Sequence, residues 1–289
     1  MKKKWLKSIL MTGLLASVLA IAGCGQSGNQ NANQSANSTG GDSAATGDVD
    51  DELARILNEG VLKVGVEGTY PPITYHDEDN VLTGFDVEVA KAIGEKLGVE
   101  VEFVEAEWDS LLLAIDSGRI DTVINAVSAT DARKEKYDFT EPYVSVYYNV
   151  IVKADNDSIQ SEADLNGKKA GENITSAFAE RIEELGAEIV VIDSLQQAID
   201  LVTTGRADFT LTSDIMFYTY LEEHPDVDVK IACRFGEDKD QFAIPFKKGE
   251  TRLVDAVNQA LDELKADGTL TALSEKYFNS DVIEKSSFQ

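Results

Sequence analysis

The chain has 289 residues, of which 43% are hydrophobic, enough for more than one packed core. Its 52 acidic residues against 26 basic ones leave a formal net charge of −26, which argues against nucleic acid as a partner and for a well-solvated surface. The 2 cysteines and 2 histidines exclude a disulfide framework within the folded part, and His76 and His224 lack the spacing of a metal set.

The first residues read as a processing signal. Lys2, Lys3, Lys4 and Lys7 form a basic start, and an apolar stretch runs from Ile9 to Ala22, broken by Thr12, Gly13 and Ser17. It is shorter than the roughly 20 apolar residues a spanning helix needs, and it ends in small residues, as a secretory signal peptide does. The ending Ile21-Ala22-Gly23-Cys24 resembles the bacterial lipobox. That resemblance implies a signal peptide over 1–23, cleavage before Cys24 and a lipid anchor there. More than one acyl chain gives stable anchoring, at about 0.8 kcal/mol per buried methylene. Residues 24–50 are almost entirely Gly, Ser, Asn, Gln, Ala, Thr and Asp, the composition of a flexible tether. The folded part is expected from near Glu52, with Cys233 as its single cysteine.

In chain order, Glu52 to Asn58 reads as a short helix stopped by Gly60, and Leu62 to Val66 as a strand. Glu67 to Pro72 is a turn-rich loop, and Thr74 to Asn80 a hairpin-like connection. Phe85, Val89, Ile93 and Leu97 recur at helical spacing with Gly98 behind them, an amphipathic helix with a glycine stop. Val99 to Val104 alternates as a half-buried strand does. A helix follows Trp108, over Ser110 to Asp116, then a strand over Ile120 to Ile124. The alternation of strand and helix implies a parallel α/β sheet. The second half repeats it. Asn166 to Gly171 leads from a turn into a strand, and a helix over Ala177 to Leu185 is capped by Thr175 or Ser176. Glu188 to Ile192 is a strand, Leu195 to Thr203 a helix and Asp208 to Leu211 a strand.

The segment Ala114-Ile115-Asp116-Ser117-Gly118-Arg119-Ile120-Asp121 has an echo in Ala198-Ile199-Asp200 followed, after a short insertion, by Thr204-Gly205-Arg206-Ala207-Asp208. In each half a helix ends at glycine, and an arginine and an aspartate lead into a strand. Two equivalent lobes are therefore expected, with lobe 1 made of 51–147 and 244–289 and lobe 2 of 148–243. Two extended stretches, Tyr147 to Val152 and Gln241 to Pro245, would join them as a two-strand hinge. Helices over Leu253 to Leu264 and Leu270 to Tyr277 complete the first lobe.

Several pieces, in order, are similar to a known family. They are Gly68-Thr69-Tyr70-Pro71-Pro72, Leu82-Thr83-Gly84-Phe85-Asp86-Val87-Glu88, Trp108-Asp109-Ser110-Leu111, Ser128-Ala129-Thr130-Asp131-Ala132-Arg133 and Tyr137-Asp138-Phe139-Thr140-Glu141-Pro142-Tyr143. From about Leu53 to Phe278 the chain resembles solute-binding proteins of the polar amino-acid type that serve ABC importers. The resemblance implies a two-lobed, type II periplasmic-binding-protein fold, with a free amino acid held in the cleft and passed to a membrane permease. It implies no cofactor, no metal and no enzymatic step, a monomer, and a place on the extracytoplasmic face of the cell membrane, tethered through Cys24. The stretches Glu172-Asn173-Ile174-Thr175-Ser176 and Tyr75-His76-Asp77-Glu78-Asp79 look most like the cystine-binding branch, which favours cystine or another polar amino acid.

The centre of the expected site is Asn125 to Arg133, just beyond a strand. Arg133 has a planar fork suited to two parallel bonds with a carboxylate, and the resemblance gives it that task. Ser128 adds a donor, caps the helix that holds Arg133, or does both. Thr175 and Ser176 are placed to reach the same carboxylate from the second lobe. Tyr70 and Trp108 stand where the family stacks aromatic rings on its ligand, faces that also tolerate an ammonium. For the ammonium the chain departs from the pattern: the family commonly carries an aspartate where Ser213 stands, leaving Asp214 or Glu67 as candidates. Two other functions share this fold. One is a cyclohexadienyl-type dehydratase, whose general acid would be Glu67 or, less favourably, Glu172. The other is a ligand-sensing subunit. The chain has no nucleophile elbow, phosphate loop or zinc motif.

Overall fold

A computed structural model describes residues 52–283; the expected signal peptide, Cys24 and the expected tether lie outside them. Two five-stranded sheets organise the chain. In the first the order is Glu100–Glu105, Val61–Val66, Thr122–Val123, Pro245–Lys247, Tyr137–Phe139. Its first three strands are parallel, and Pro245–Lys247 runs antiparallel to both neighbours. In the second the order is Glu188–Val191, Lys169–Glu172, Phe209–Ser213, Val144–Lys153, Val229–Phe242. Again the first three are parallel, and Val144–Lys153 is antiparallel to both strands beside it.

The helices form where the apolar spacing puts them. Phe85, Val89 and Ile93 are all buried on one face of Phe85–Leu97, and Gly98 ends that helix at φ 73 with its N–H on the Glu95 carbonyl. Such a left-handed cap suits a residue without a Cβ. Gly84, just before this helix, sits at φ 125, and a Cβ there would lie 2.3 Å from the Ile73 carbonyl oxygen. The close approach lets Phe85 and Asp86 donate their N–H groups to Pro72 and Ile73.

The internal echo is a matched pair of hydrogen-bonded corners. In the first sheet the Asp121 carboxylate accepts the Lys63 N–H at 2.7 Å, and the Asp121 N–H donates to the Lys63 carbonyl at 2.9 Å. In the second the Asp208 carboxylate accepts the Lys169 N–H at 2.8 Å, and its N–H donates to Lys169 at 2.7 Å. Each aspartate satisfies the backbone at the start of its central parallel strand, so both strands leave their sheets at equivalent ends.

The chain crosses between the sheets on two neighbouring paths. Tyr143 donates its N–H to Phe242, Ala243 to Val127 and Thr140 to Ile244. The strands Val144–Lys153 and Val229–Phe242 are longer than the two extended stretches expected, and register shifts interrupt their pairing. The helix Asp214–Glu223 was not expected; its sequence is apolar or aromatic almost all round and has no clear helical stripe. The strand Val229–Phe242 is largely half-buried or exposed, so it lacks the alternation that marks a strand. The helix after Ser176 begins later than expected, over Ala179–Glu184, and has no side-chain cap.

Asp86 is 1% exposed, accepts the Tyr143 hydroxyl at 2.8 Å and the Ala126 N–H at 2.6 Å, and burial pushes its pKa up to about 7. An acid with a higher pKa folded than unfolded holds more protons when folded, so its contribution to stability falls as pH rises from about 4 to about 7. Burial likewise raises Asp121 and Asp240, whereas the ion-paired Glu88 and Asp138 are lowered and lose their contribution only at more acidic pH. The unliganded protein is expected to melt at a higher temperature at pH 5.5 than at pH 7.5, and Asp86→Asn to narrow the difference. Thermal unfolding followed by circular dichroism checks this; a melting point that rises steadily with pH over that range contradicts it.

Candidate functional site: a cleft between the two sheets

The carboxyl ends of the parallel strands of both sheets face one cavity, where ligands bind in open α/β sheets. Its volume is about 170 Å³, room for on the order of ten water-sized groups. Arg133, Trp108, Tyr70, Ser128, Asn125 and Glu67 line it from one side, and Glu172, Ser176 and Tyr148 are among those that line it from the other.

Asn125 builds the first side. It is 2% exposed. Its amide oxygen accepts the Glu67 N–H at 3.0 Å and the Thr74 hydroxyl at 2.6 Å, and its amide nitrogen donates to the Glu67 carboxylate at 2.7 Å. The next residue, Ala126, turns at φ 51, a conformation uncommon outside glycine, and Asp86 holds its N–H. The turn delivers Ser128 and the helix Asp131–Lys136 to the cleft. Thr130, not Ser128, caps that helix by accepting the Arg133 N–H at 3.3 Å. The Ser128 hydroxyl instead donates to Asp240 on the crossing strand.

Arg133 reaches across the cavity. Its guanidinium donates to the Ser128 carbonyl at 2.9 Å and the Thr175 carbonyl at 3.2 Å, and lies 5.2 Å from the centre of the Trp108 ring. Burial lowers its pKa, opposed by Tyr148, Asp240 and Tyr137. The Trp108 indole also donates to the Thr175 carbonyl, at 3.5 Å, and the Thr175 hydroxyl donates to Asp109. Thr175 therefore meets the first lobe through its carbonyl and directs its hydroxyl to Asp109, outside the cavity lining. Ser176 does line the cavity, and its hydroxyl favours the charged form of Glu172.

Asp214 is not brought to the cavity. Its carboxylate accepts the Tyr147 N–H at 3.3 Å and the Ile215 N–H at 3.0 Å, and it opens the helix Asp214–Glu223. Ser213, 1% exposed, caps that helix by accepting the Met216 N–H. The shift that would bring Asp214 into play does not occur, because the helix begins at Asp214 and directs its carboxylate to backbone.

Glu172 and Tyr148 line the cavity although neither was singled out for binding, and Asp240 backs it. Burial raises the Tyr148 phenol well above its ordinary value and the Glu67 carboxyl above its own, and pushes Glu172 up to about 7. Glu172 had a visible signal: like Glu67, it stands at the carboxyl end of its lobe's central parallel strand. Tyr148 had none, since it reads only as part of a connecting strand. Among the described residues no cluster of three His, Cys, Asp or Glu side chains could hold a metal, and no helix is long and apolar enough to cross a membrane.

Residues 62–280 match the bacterial extracellular solute-binding proteins, family 3. The chain belongs to this family. It is 39% identical to the L-cystine-binding protein TcyA of Bacillus subtilis (strain 168), over 96% of this chain and 98% of that one. Among solved structures it resembles an ancestral arginine-binding protein bound to arginine, at TM-score 0.70 and 36% identity, over 76% of this chain and 98% of that one. It also resembles the L-cystine solute receptor of Neisseria gonorrhoeae in its unliganded open conformation, at TM-score 0.58 and 38% identity, over 81% and 99%. The fold is the two-lobed type II fold of periplasmic amino-acid binding proteins. The open receptor superposes less well than the arginine-bound protein despite its slightly higher identity. Such a difference arises when like lobes sit at different angles, and it accords with the direct bonds from Arg133 and Trp108 to Thr175 across this cleft.

Removing the Asn125 amide leaves the Thr74 hydroxyl, the Glu67 N–H and the Glu67 carboxylate without it, each buried group costing about 1–3 kcal/mol. Asn125→Ala is expected to lower stability by about 2–4 kcal/mol, measured by urea unfolding. A loss below about 0.5 kcal/mol would show that the turn holds itself.

Proposed function

We propose that this solute-binding protein captures a free polar amino acid, cystine or a close analogue, and presents it to an ABC permease. The observation that carries the reading is Arg133: a half-buried guanidinium at the cavity wall whose hydrogen-bond acceptors are two backbone carbonyls. A ligand carboxylate offers a bidentate, charge-assisted partner in their place. In this reading Arg133 holds the α-carboxylate, Ser128 and Ser176 stand beside it in the cavity wall, and Tyr70 and Trp108 form the walls. Asn125 holds the loop and Glu67. Thr175 contributes through its carbonyl. The lobes comprise 51–147 with 244–289, and 148–243, and they close about the two crossing strands. Contacts made only in the closed form shift the open–closed population toward it.

The same reading gives the protein a signal peptide over 1–23 and a lipid on Cys24. The tether over 24–50 keeps a monomer on the extracytoplasmic face of the cell membrane, beside its permease. No covalent chemistry on the ligand is required.

A thermal-shift screen of the twenty standard amino acids and L-cystine on the purified full-length protein tests the reading, because a ligand that binds only the native form raises apparent stability by mass action. One or a few α-amino acids are expected to shift the melting point. Arg133→Ala is expected to abolish the shift while the unliganded protein still melts cooperatively. Unchanged affinity in Arg133→Ala would remove the central assignment. Conversion of the bound amino acid to a new product, followed by mass spectrometry, would replace a receptor with an enzyme.

A further inference from the structure

We propose that Glu172 receives the ligand's α-ammonium, so that opposite lobes read the two charges of the zwitterion: Arg133 the carboxylate and Glu172 the ammonium. The inference rests on the amino-acid-receptor reading and assigns the half of the site that the sequence leaves open.

Geometry selects Glu172 among the acids near the cleft. Ser213 and Asp214 are committed to the start of their own helix and are absent from the cavity lining. Glu67 lines the cavity, but it also lines two neighbouring ones, each shared with Asp193. Its carboxylate is also engaged by the Asn125 amide, 2.7 Å away. Glu172 belongs to the Arg133 cavity. Three residues beyond it, Thr175 gives its carbonyl to Arg133, and Ser176, beside Thr175, lines the same cavity and favours the charged form of Glu172. The segment 172–176 thus brings the acid to the place where the arginine meets the second lobe. The charges of an α-amino acid are one carbon apart, so its two partners must line one cavity, as Arg133 and Glu172 do.

The hydrogen bonding of Glu172 leaves room for a cation. The Ser176 hydroxyl and the Asn173 and Leu211 N–H groups favour its charged form against the burial that raises its pKa, and a carboxylate has about four acceptor positions. Those donors fix its direction, and the charge still requires a counter-ion when buried. Its charge, with burial, raises the phenols of Tyr70 and Tyr148 on opposite sides of the cavity, and both stay neutral near pH 7. Arg133, Glu67 and Asp193 are the charged side chains that share the cavity wall with it.

A consequence follows for pH. With its pKa near 7 in the empty cavity, Glu172 is partly protonated at neutral pH, and an ammonium must displace that proton. Binding then releases a proton on the acidic side, and affinity weakens by about tenfold per pH unit below about 7.

The test is calorimetric titration of the full-length protein and of Glu172→Gln with the twenty standard amino acids and L-cystine. The variant keeps the shape of the side chain and an acceptor for the neighbouring donors. The wild type is expected to bind more weakly at pH 5.5 than at pH 7.5; in the variant the best binder is expected to lose about a hundredfold in affinity and this pH dependence to flatten. The deaminated analogue of that binder, 3,3′-dithiodipropionic acid in the case of cystine, separates the charges. It is expected to bind the wild type far more weakly than the amino acid does, and the two to bind the variant nearly alike. If Glu172→Gln binds within threefold of wild type, or its pH profile is unchanged while Glu67→Gln flattens it, the assignment is overturned and the receptor reading stands. If no amino acid binds the wild type, the receptor reading falls and the assignment falls with it.

Discussion

The site depends on one buried amide. Asn125 ties three segments that are distant in sequence: the end of the first strand at Glu67, the hairpin at Thr74 and its own turn into Arg133. A side-chain amide can both accept and donate, and both functions are used here. An aspartate at this position would put a second negative group against Glu67, and a leucine would leave the Glu67 N–H and the Thr74 hydroxyl unmet. The buried Asp86 then sets the direction in which the chain leaves Asn125, by accepting the N–H of Ala126 in its left-handed turn. The Phe85–Leu97 helix is thus coupled to Arg133 through one carboxylate. This gives a physical reason for an acid within the run Leu82 to Glu88, far in sequence from the residues that line the cavity.

The two lobes use a common corner and differ in what they add to it. Asp121 and Asp208 close the same pair of backbone bonds with Lys63 and Lys169, and each central strand ends at a glutamate that faces the cleft. The next parallel strand diverges. In the first lobe it runs into Asn125 and a loop that carries the arginine. In the second it runs directly into the helix that Ser213 caps. The second lobe therefore has no loop at that point on which to hang a charged group, and its charge is carried one strand over, at Glu172.

Most of the fold was legible because it rests on patterns that local sequence carries. The Phe85 to Leu97 spacing, the glycine stops and the Arg-x-Asp entries into strands each have a local cause. The elements that escaped have none. Val229–Phe242 is stabilised by pairing along Val144–Lys153, and its polar residues face solvent rather than alternate. The helix Asp214–Glu223 begins where the sequence suggested a ligand-binding acid, because Asp214 followed by Ile215 and Met216 reads equally as a helix start. In the site, the residues of Asn125 to Arg133 were found because they are adjacent in sequence. Asp240 was not, because its only connection to Ser128 is through space, across 112 positions. Of the two roles open to Ser128, the cap falls to Thr130 for a related reason: Ser128 pairs with Phe242 as a sheet bridge.

The acidic composition of the chain says little about the cavity, and the buried groups show why. Exposed charges are screened within about 10 Å at ordinary ionic strength, whereas Arg133, Glu67 and Glu172 line one cavity withdrawn from the surface. Burial lowers the pKa of the arginine and raises those of both glutamates, so each shift favours the neutral form and the empty cavity tends toward low net charge. A zwitterion can enter such a space without adding net charge, because its carboxylate and ammonium each find a partner. A ligand with a second positive end meets further acids along Glu67 and Asp193, toward the neighbouring cavities. Selection among amino acids then turns on how many protons the glutamates must give up for a given side chain, a quantity set by this local balance and not by the excess of acids on the surface.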